Sequence, residues 1–206
     1  MVRAVLVGVL AVACVLCASD AFAVVCWETS VGGNGHYYDL IVFGDSSGVG
    51  NISWIYARNN AYEQEYSVGE NTYTGYLATI TSEAENTFIL SMAIPFNAFI
   101  GGYQLGSSAD ELDKAANWRW VTSEVWDYTH WNNYTGLNNN ASPYGHEDAA
   151  EFWPGAGYWN DINSQYQLRR GYILEFGPVA AVPEPATMSL FGLGLFGLLG
   201  LKRKKA

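Results

Sequence analysis

Residues 75–105 read GYLATITSEAENTFILSMAIPFNAFIGGYQL, and within them the chain changes its period. Thr81-Ser82-Glu83-Ala84-Glu85 is the signature of a helix start. A hydroxyl caps free N–H groups, and carboxylates follow in the first turn, where the helix dipole favours negative charge. The helix so predicted runs to about Met92 and stops before Pro95, which cannot continue it. Beyond it come short runs of aromatic and β-branched residues divided by Gly and Asn. AFIGGYQL (98–105), NWRWV (117–121), DAAEFW (148–153), YWND (158–161) and GYILEF (171–176) read as strands. On the other side, GYLATI (75–80) is a short strand or turn. Ser53 can cap a helix that starts near Trp54, and WIYARNNAYEQEY (54–66) sets Trp54, Ala57, Ala61 and Tyr62 at helical spacing. NGHYYDLIVF (34–43) reads as a first strand, followed by the Gly- and Ser-rich loop GDSSGVGN (44–51). Two helices early and strands late make an α+β domain.

One stretch does not fit a short connection. Residues 131–161, WNNYTGLNNNASPYGHEDAAEFWPGAGYWND, open with tryptophan and end on a Trp-Asn-Asp triplet. Such a long excursion of Asn and Gly is uncommon in a compact domain unless it binds something. It delivers Glu147, Asp148, Glu151, Asn160 and Asp161. Amide and carboxylate oxygens are what a hard cation such as calcium takes, about six to eight of them. The same residue types also fill ordinary exposed loops, so composition leaves both readings open. His130, His146 and Glu147 lack the tight spacing of a zinc site. Glu147 and Asp148 are sequence neighbours and do not by themselves make the separated pair of a glycosidase.

Charge narrows the function classes. Between Val24 and Pro178 stand five basic residues, Arg58, Lys114, Arg119, Arg169 and Arg170, against eighteen acidic ones. A nucleic-acid partner is excluded, because gripping phosphates takes clustered Lys and Arg. Eight Trp and fourteen Tyr suit a β-rich core and offer flat faces for sugar rings. Cys14 and Cys17 lie in the N-terminal apolar segment, so once that is removed Cys26 is a lone thiol without an intrachain partner.

GYLATITSEAENTFI, FIGGYQL, the pair Trp118 and Trp120, the Trp131 region, GYWND and GYILEF occur in that order. Together they resemble a C-type lectin-like domain in its disulfide-free bacterial form, over roughly residues 31–176. The resemblance implies an α+β, C-type lectin-like fold: two helices flanking two small antiparallel sheets, first and last strands paired, and a long loop that can hold calcium and a sugar. In sugar-binding members the loop carries Glu-Pro-Asn or Gln-Pro-Asp after a Gly, then a Glu, and the Asn-Asp of WND completes the cage. Here Gly136 is followed by Leu137, Asn138 and Asn139. The resemblance therefore implies a weak calcium site, shared with sugar, at Asn139, Glu147, Asn160 and Asp161. Leu137 stands where an oxygen ligand is expected, and the proline of the triplet has no counterpart. The function so implied is a non-enzymatic binding module for a polysaccharide or glycan. A structural or adhesion protein that uses the fold without calcium or sugar is the alternative.

Both ends look like address labels. Residues 1–23 carry Arg3, an apolar run and Ala21-Phe22-Ala23, the pattern of a secretory signal peptide with cleavage after Ala23. Residues 24–178 form the expected domain and 179–206 the tail. The tail holds Val182-Pro183-Glu184-Pro185, an apolar segment at 186–201 and the basic cluster Lys202-Arg203-Lys204-Lys205. Its apolar run from Met188 to Leu201 spans about 21 Å as a helix, short against a hydrocarbon core of about 30 Å. The cationic end stays on the cytoplasmic side. This tripartite tail resembles the PEP-CTERM sorting signal of Gram-negative bacteria, with Pro183, Glu184 and Pro185 as its motif. The resemblance implies transient anchoring in the inner membrane, recognition by an exosortase and export to the cell surface or an exopolysaccharide matrix.

Overall fold

The computed structural model describes residues 23–43, 52–105, 115–133 and 145–178. Ala21, Leu137, Asn139, Pro183, Glu184, Pro185 and the apolar segment 186–201 lie outside them, and Ala23 is an exposed residue at their start. Among the described residues no helix is long and apolar enough to cross a membrane.

Both helices begin where their caps dictate. Helix α1 (Trp54–Tyr62) starts after Ser53, whose hydroxyl accepts from the Tyr56 N–H, and buries Trp54, Ala57 and Ala61. Helix α2 (Glu83–Ser91) starts after Ser82, which accepts from the Glu85 N–H; Glu83 and Glu85 occupy the first turn. Its chain then turns at Ala93, held at φ 53°, ahead of Pro95.

The strands are β1 (Val25–Cys26), β2 (Tyr37–Val42), β3 (Glu65–Val68), β4 (Asn71–Leu77), β5 (Ala98–Gln104), β6 (Trp118–Trp120), β7 (Ala149–Phe152), β8 (Trp159–Ile162) and β9 (Gly171–Phe176). The first long strand pairs with the last in unbroken register, from Tyr37 opposite Phe176 to Val42 opposite Gly171. The hydrogen-bonded order is β1-β2-β9-β5-β7-β8, with β4 also on β9 and carrying β3, and β6 on β5. The sheets expected as two are joined where Phe99 of β5 meets Tyr172 of β9 in a parallel contact.

The sequence reading carried the helical pattern of α1 through Tyr66, and the structure corrects this. The helix ends at Tyr62, and Glu65–Val68 is a strand paired with Asn71–Thr74. Gly69 at φ 61° makes the two-residue turn between them. Cross-strand pairing of Tyr66 with Tyr73 overrode a helical spacing that had no further apolar position to bury.

Two apolar clusters fill the interior. One gathers Tyr38, Ile89, Trp120, Phe152 and Trp159 beneath α2. The other gathers Ala57, Ala61, Leu77, Phe99 and Tyr172 beneath α1. Each large side chain so buried contributes about 1.5–3 kcal/mol. Every residue of β7, β8 and β9 is buried, so these strands are covered on both faces. The stretch 131–161 that the sequence singled out includes β7 and enters β8.

Candidate functional site

The base of the long loop is a cluster of tryptophans. Trp131, at its start, and Trp159, near its end, form a parallel bridge, and their rings meet edge to face at 5.7 Å. The Trp159 N–H donates to the His130 carbonyl and the Asn132 N–H to the Trp159 carbonyl, at 2.8 and 2.9 Å. Thus the two ends of the excursion are tied before residue 134. Trp120, Trp126 and Tyr128 also pack on the Trp159 ring. Trp118 and Trp126, stacked at 5.6 Å, line an open cleft with Asn117, Arg119, Ser123 and Glu124.

Asn86 of α2 fixes the rotamer of Trp159. Its Oδ1 accepts from Trp159 Nε1 at 2.9 Å, and its Nδ2 donates to the Gly157 carbonyl at 3.0 Å. Nδ2 also lies 2.8 Å from His130 Nδ1. Gly157 is required here. A Cβ at that position would stand 2.9 Å from Asn86 Nδ2, and its φ of 70° suits glycine.

Strands β7 and β8 pair without a shift, Ala150 opposite Asp161 and Glu151 opposite Asn160. Successive side chains of a regular strand alternate faces. Asp161 therefore shares the face of Trp159, toward the tryptophan cluster, while Asn160 shares the face of Glu151. Asn160 Nδ2 donates to Glu151 Oε1 at 3.1 Å and to the Asp161 carbonyl at 2.7 Å. Of the four residues named as calcium ligands, Asn139 lies outside the described residues. Glu147, Asn160 and Asp161 are buried. Among the described residues no three His, Cys, Asp or Glu side chains converge as a metal cage.

The carboxylate that organises this corner is Glu151, 1% exposed. Its Oε1 accepts from Arg169 Nη2 at 2.9 Å, Trp153 Nε1 at 2.9 Å, Asn160 Nδ2 at 3.1 Å and Asn97 Nδ2 at 3.4 Å. Arg169 Nε donates to Oε2, which makes the pair bidentate. Asp148 takes a turn-forming role instead, accepting from the Ser164 N–H and hydroxyl at 2.8 and 2.9 Å. Sequence reasoning named Glu151 without its partner. The signal was present: one carboxylate in the buried run Ala149-Ala150-Glu151-Phe152 demands a cation, and the chain has few.

Residues 69–170 match the family model described as the lectin C-type domain, and residues 181–204 match the PEP-CTERM protein-sorting motif. A perlucin-like protein of Mytilus galloprovincialis is 36% identical over 93 residues, 44% of this chain and 55% of that relative. The matched part thus spans about half the length of the curated relative. Among solved structures, the cow C-type carbohydrate-recognition domain of CD23, in the presence of a GlcNAc2Man3 oligosaccharide, aligns with TM-score 0.49 and 20% identity. That alignment covers 71% of this chain and 90% of that one. The C-type lectin CEL-I from Cucumaria echinata aligns with TM-score 0.49 and 20% identity, over 69% of this chain and 90% of that one.

Proposed function

We propose that this chain, which carries a C-type lectin domain over residues 69–170 and a PEP-CTERM protein-sorting motif over residues 181–204, is an exported, non-enzymatic, carbohydrate-binding module. The observation that carries the reading is the coincidence of that domain match with the pinned loop. Trp131 and Trp159 bridge the two ends of the stretch 131–161, and Asp161 lies on the Trp159 face of β8. Aromatic faces beside a few fixed polar groups are what a sugar ring recognises. The cleft of Trp118, Trp126, Arg119 and Glu124 adds such a surface next to Trp131.

Calcium is the finer part of the proposal. Glu147 and Asp161 are its anionic ligands, with Asn139 and further oxygens from the loop; Asn160, on the opposite face of β8, supports the site from behind by donating through Nδ2 to Glu151 and to the Asp161 carbonyl. With Leu137 in place of an oxygen ligand, affinity is weak, on the order of 10⁻⁴–10⁻³ M as in extracellular modules. A calcium ion held by these oxygens would offer coordination to sugar hydroxyls, and the tryptophans of the cleft would position the ring.

The partners follow from the ends of the chain. An exosortase recognises Pro183-Glu184-Pro185 and removes the tail, the segment 186–201 anchors the chain in the inner membrane until then, and the product reaches the cell surface or an exopolysaccharide matrix. The test of the site is thermal melting with calcium and with chelator. A ligand bound to the native state alone raises stability by mass action, about 1.4 kcal/mol at ten times Kd. A rise in millimolar calcium that grows in Leu137→Glu supports the ion site. No rise in either protein contradicts it and leaves the calcium-free adhesion reading.

A further inference from the structure

Helix α2 meets the paired first and last strands through a buried knot of acids. Glu85 and Glu175 are 2% and 1% exposed. The hydroxyl of Tyr38 lies between them, 2.5 Å from Glu85 Oε1 and 3.3 Å from Glu175 Oε1. A phenol has one proton to donate, so it cannot satisfy two ionised acids. Asn34 Nδ2 donates to the Tyr38 oxygen at 2.8 Å and to Glu85 Oε1 at 3.2 Å. The Tyr76 hydroxyl donates to Glu175 Oε1 at 3.3 Å, and His36 Nδ1 lies 2.6 Å from that same oxygen. The second oxygens are held by backbone: Thr79 N–H to Glu175 Oε2 and Thr81 N–H to Glu85 Oε2, both at 2.8 Å. Among the described residues, His36 is the one cation paired with either carboxylate. Glu124, beyond the Thr122 hydroxyl, adds a further negative charge that acts on His36, Tyr76 and Glu175.

We propose that this knot is a proton-dependent latch: with a proton on Glu85 it joins α2 to β2, β4 and β9, and loss of that proton loosens the joint. The latch rests on none of the ligands of the calcium reading. Its geometry supplies two buried acids against one imidazole, so a proton is the counter-charge that balances the second acid. Burial, and then the charge on Glu175, push Glu85 up to about 7. Burial raises Glu175 as well. Burial pulls His36 down, but the bond to Glu175 and its charge outweigh this and hold it above its ordinary value. The sign is the same for all three. A group whose folded pKa lies above its unfolded value contributes stability that is complete below the unfolded value. That contribution disappears as pH rises through the folded one. For Glu85 the window runs from about 4.5 to about 7. The latch also sits at the exit of the domain. A Cβ on Gly177 would lie 2.4 Å from the His36 ring, so the chain leaves β9 directly against the knot, four residues before the sorting motif.

The experiment is thermal melting of the full chain in detergent, followed by near-ultraviolet circular dichroism, from pH 5.5 to 8.5. The wild type is expected to lose roughly 3–8 °C across this range, most of it between pH 5.5 and pH 7. Glu85→Gln stays neutral at every pH, and its amide can donate toward Tyr38 while its oxygen keeps the Thr81 bond. Its melting temperature is expected to fall clearly less than that of the wild type and to stand above it at pH 8.5. A wild-type Tm that is level or rises with pH overturns the latch, as does the full fall persisting in Glu85→Gln. Should that variant not fold, the carbon-13 shift of the Glu85 carboxyl in the wild type decides: a midpoint near 7 supports the latch and one below 5 overturns it.

Discussion

The indole N–H of Trp159 donates to Oδ1 of Asn86, 2.9 Å away, joining strand β8 to helix α2 at the floor of the tryptophan cluster. Both residues are buried, so neither group can turn to water. Trp159→Phe keeps most of the ring and leaves the Asn86 oxygen without this donor. It is expected to cost about 1–3 kcal/mol. Trp159→Ala removes the ring and is expected to cost about 3–5 kcal/mol. Urea unfolding of the two variants measures both. Equal losses would mean that the ring contributes nothing beyond its N–H.

Arg169 and Glu151 form the second structural tie. Removing the half-buried Arg169 leaves the buried Glu151 carboxylate without its cation, so Arg169→Ala is expected to lose about 3 kcal/mol. Glu151→Gln with Arg169→Ala should recover part of that, because no buried charge is then left alone. Trp153, Asn160 and Asn97 can still donate to the amide oxygen. A double variant less stable than Arg169→Ala would contradict this picture.

Much of the fold was legible because local chemistry and tertiary packing agreed. Ser53 and Ser82 cap the helices as their spacing implied, and each late aromatic run is a strand. The hairpin of β3 and β4 was hidden, since Tyr62, Glu63 and Gln64 carry no stop signal and the strand pair is decided by contacts with β9. The loop base was half legible. Tryptophans near both ends of residues 131–161 were plain in the sequence; that they pair with each other was not. The division of labour between Asn160 and Asp161 was not. It depends on the unbroken register of β7 with β8, which no residue type in the triplet reveals.

Cys26 is a free thiol among the described residues. With the N-terminal segment removed, a reductant should leave the melting temperature of the domain unchanged. A fall of several degrees on adding dithiothreitol would point to an intermolecular bridge through Cys26.

The processing reading predicts the mass of the mature protein. Cleavage after Ala23 and removal of the tail near Pro183-Glu184-Pro185 leave about 155–160 residues. Mass spectrometry of the protein from its native host should find a chain that starts at Val24 and lacks Lys202-Arg203-Lys204-Lys205. Recovery of the intact basic end on surface-exposed protein would sink the sorting account.

The most direct test of the account is retention of the purified full chain, in detergent, on immobilised polysaccharide secreted by its host. Millimolar calcium is compared with chelator, and wild type with Asp161→Asn, whose fold is checked by circular dichroism. The account predicts retention in calcium that weakens in chelator and in Asp161→Asn. Failure of the wild type to be retained in either buffer would contradict the carbohydrate-binding function itself.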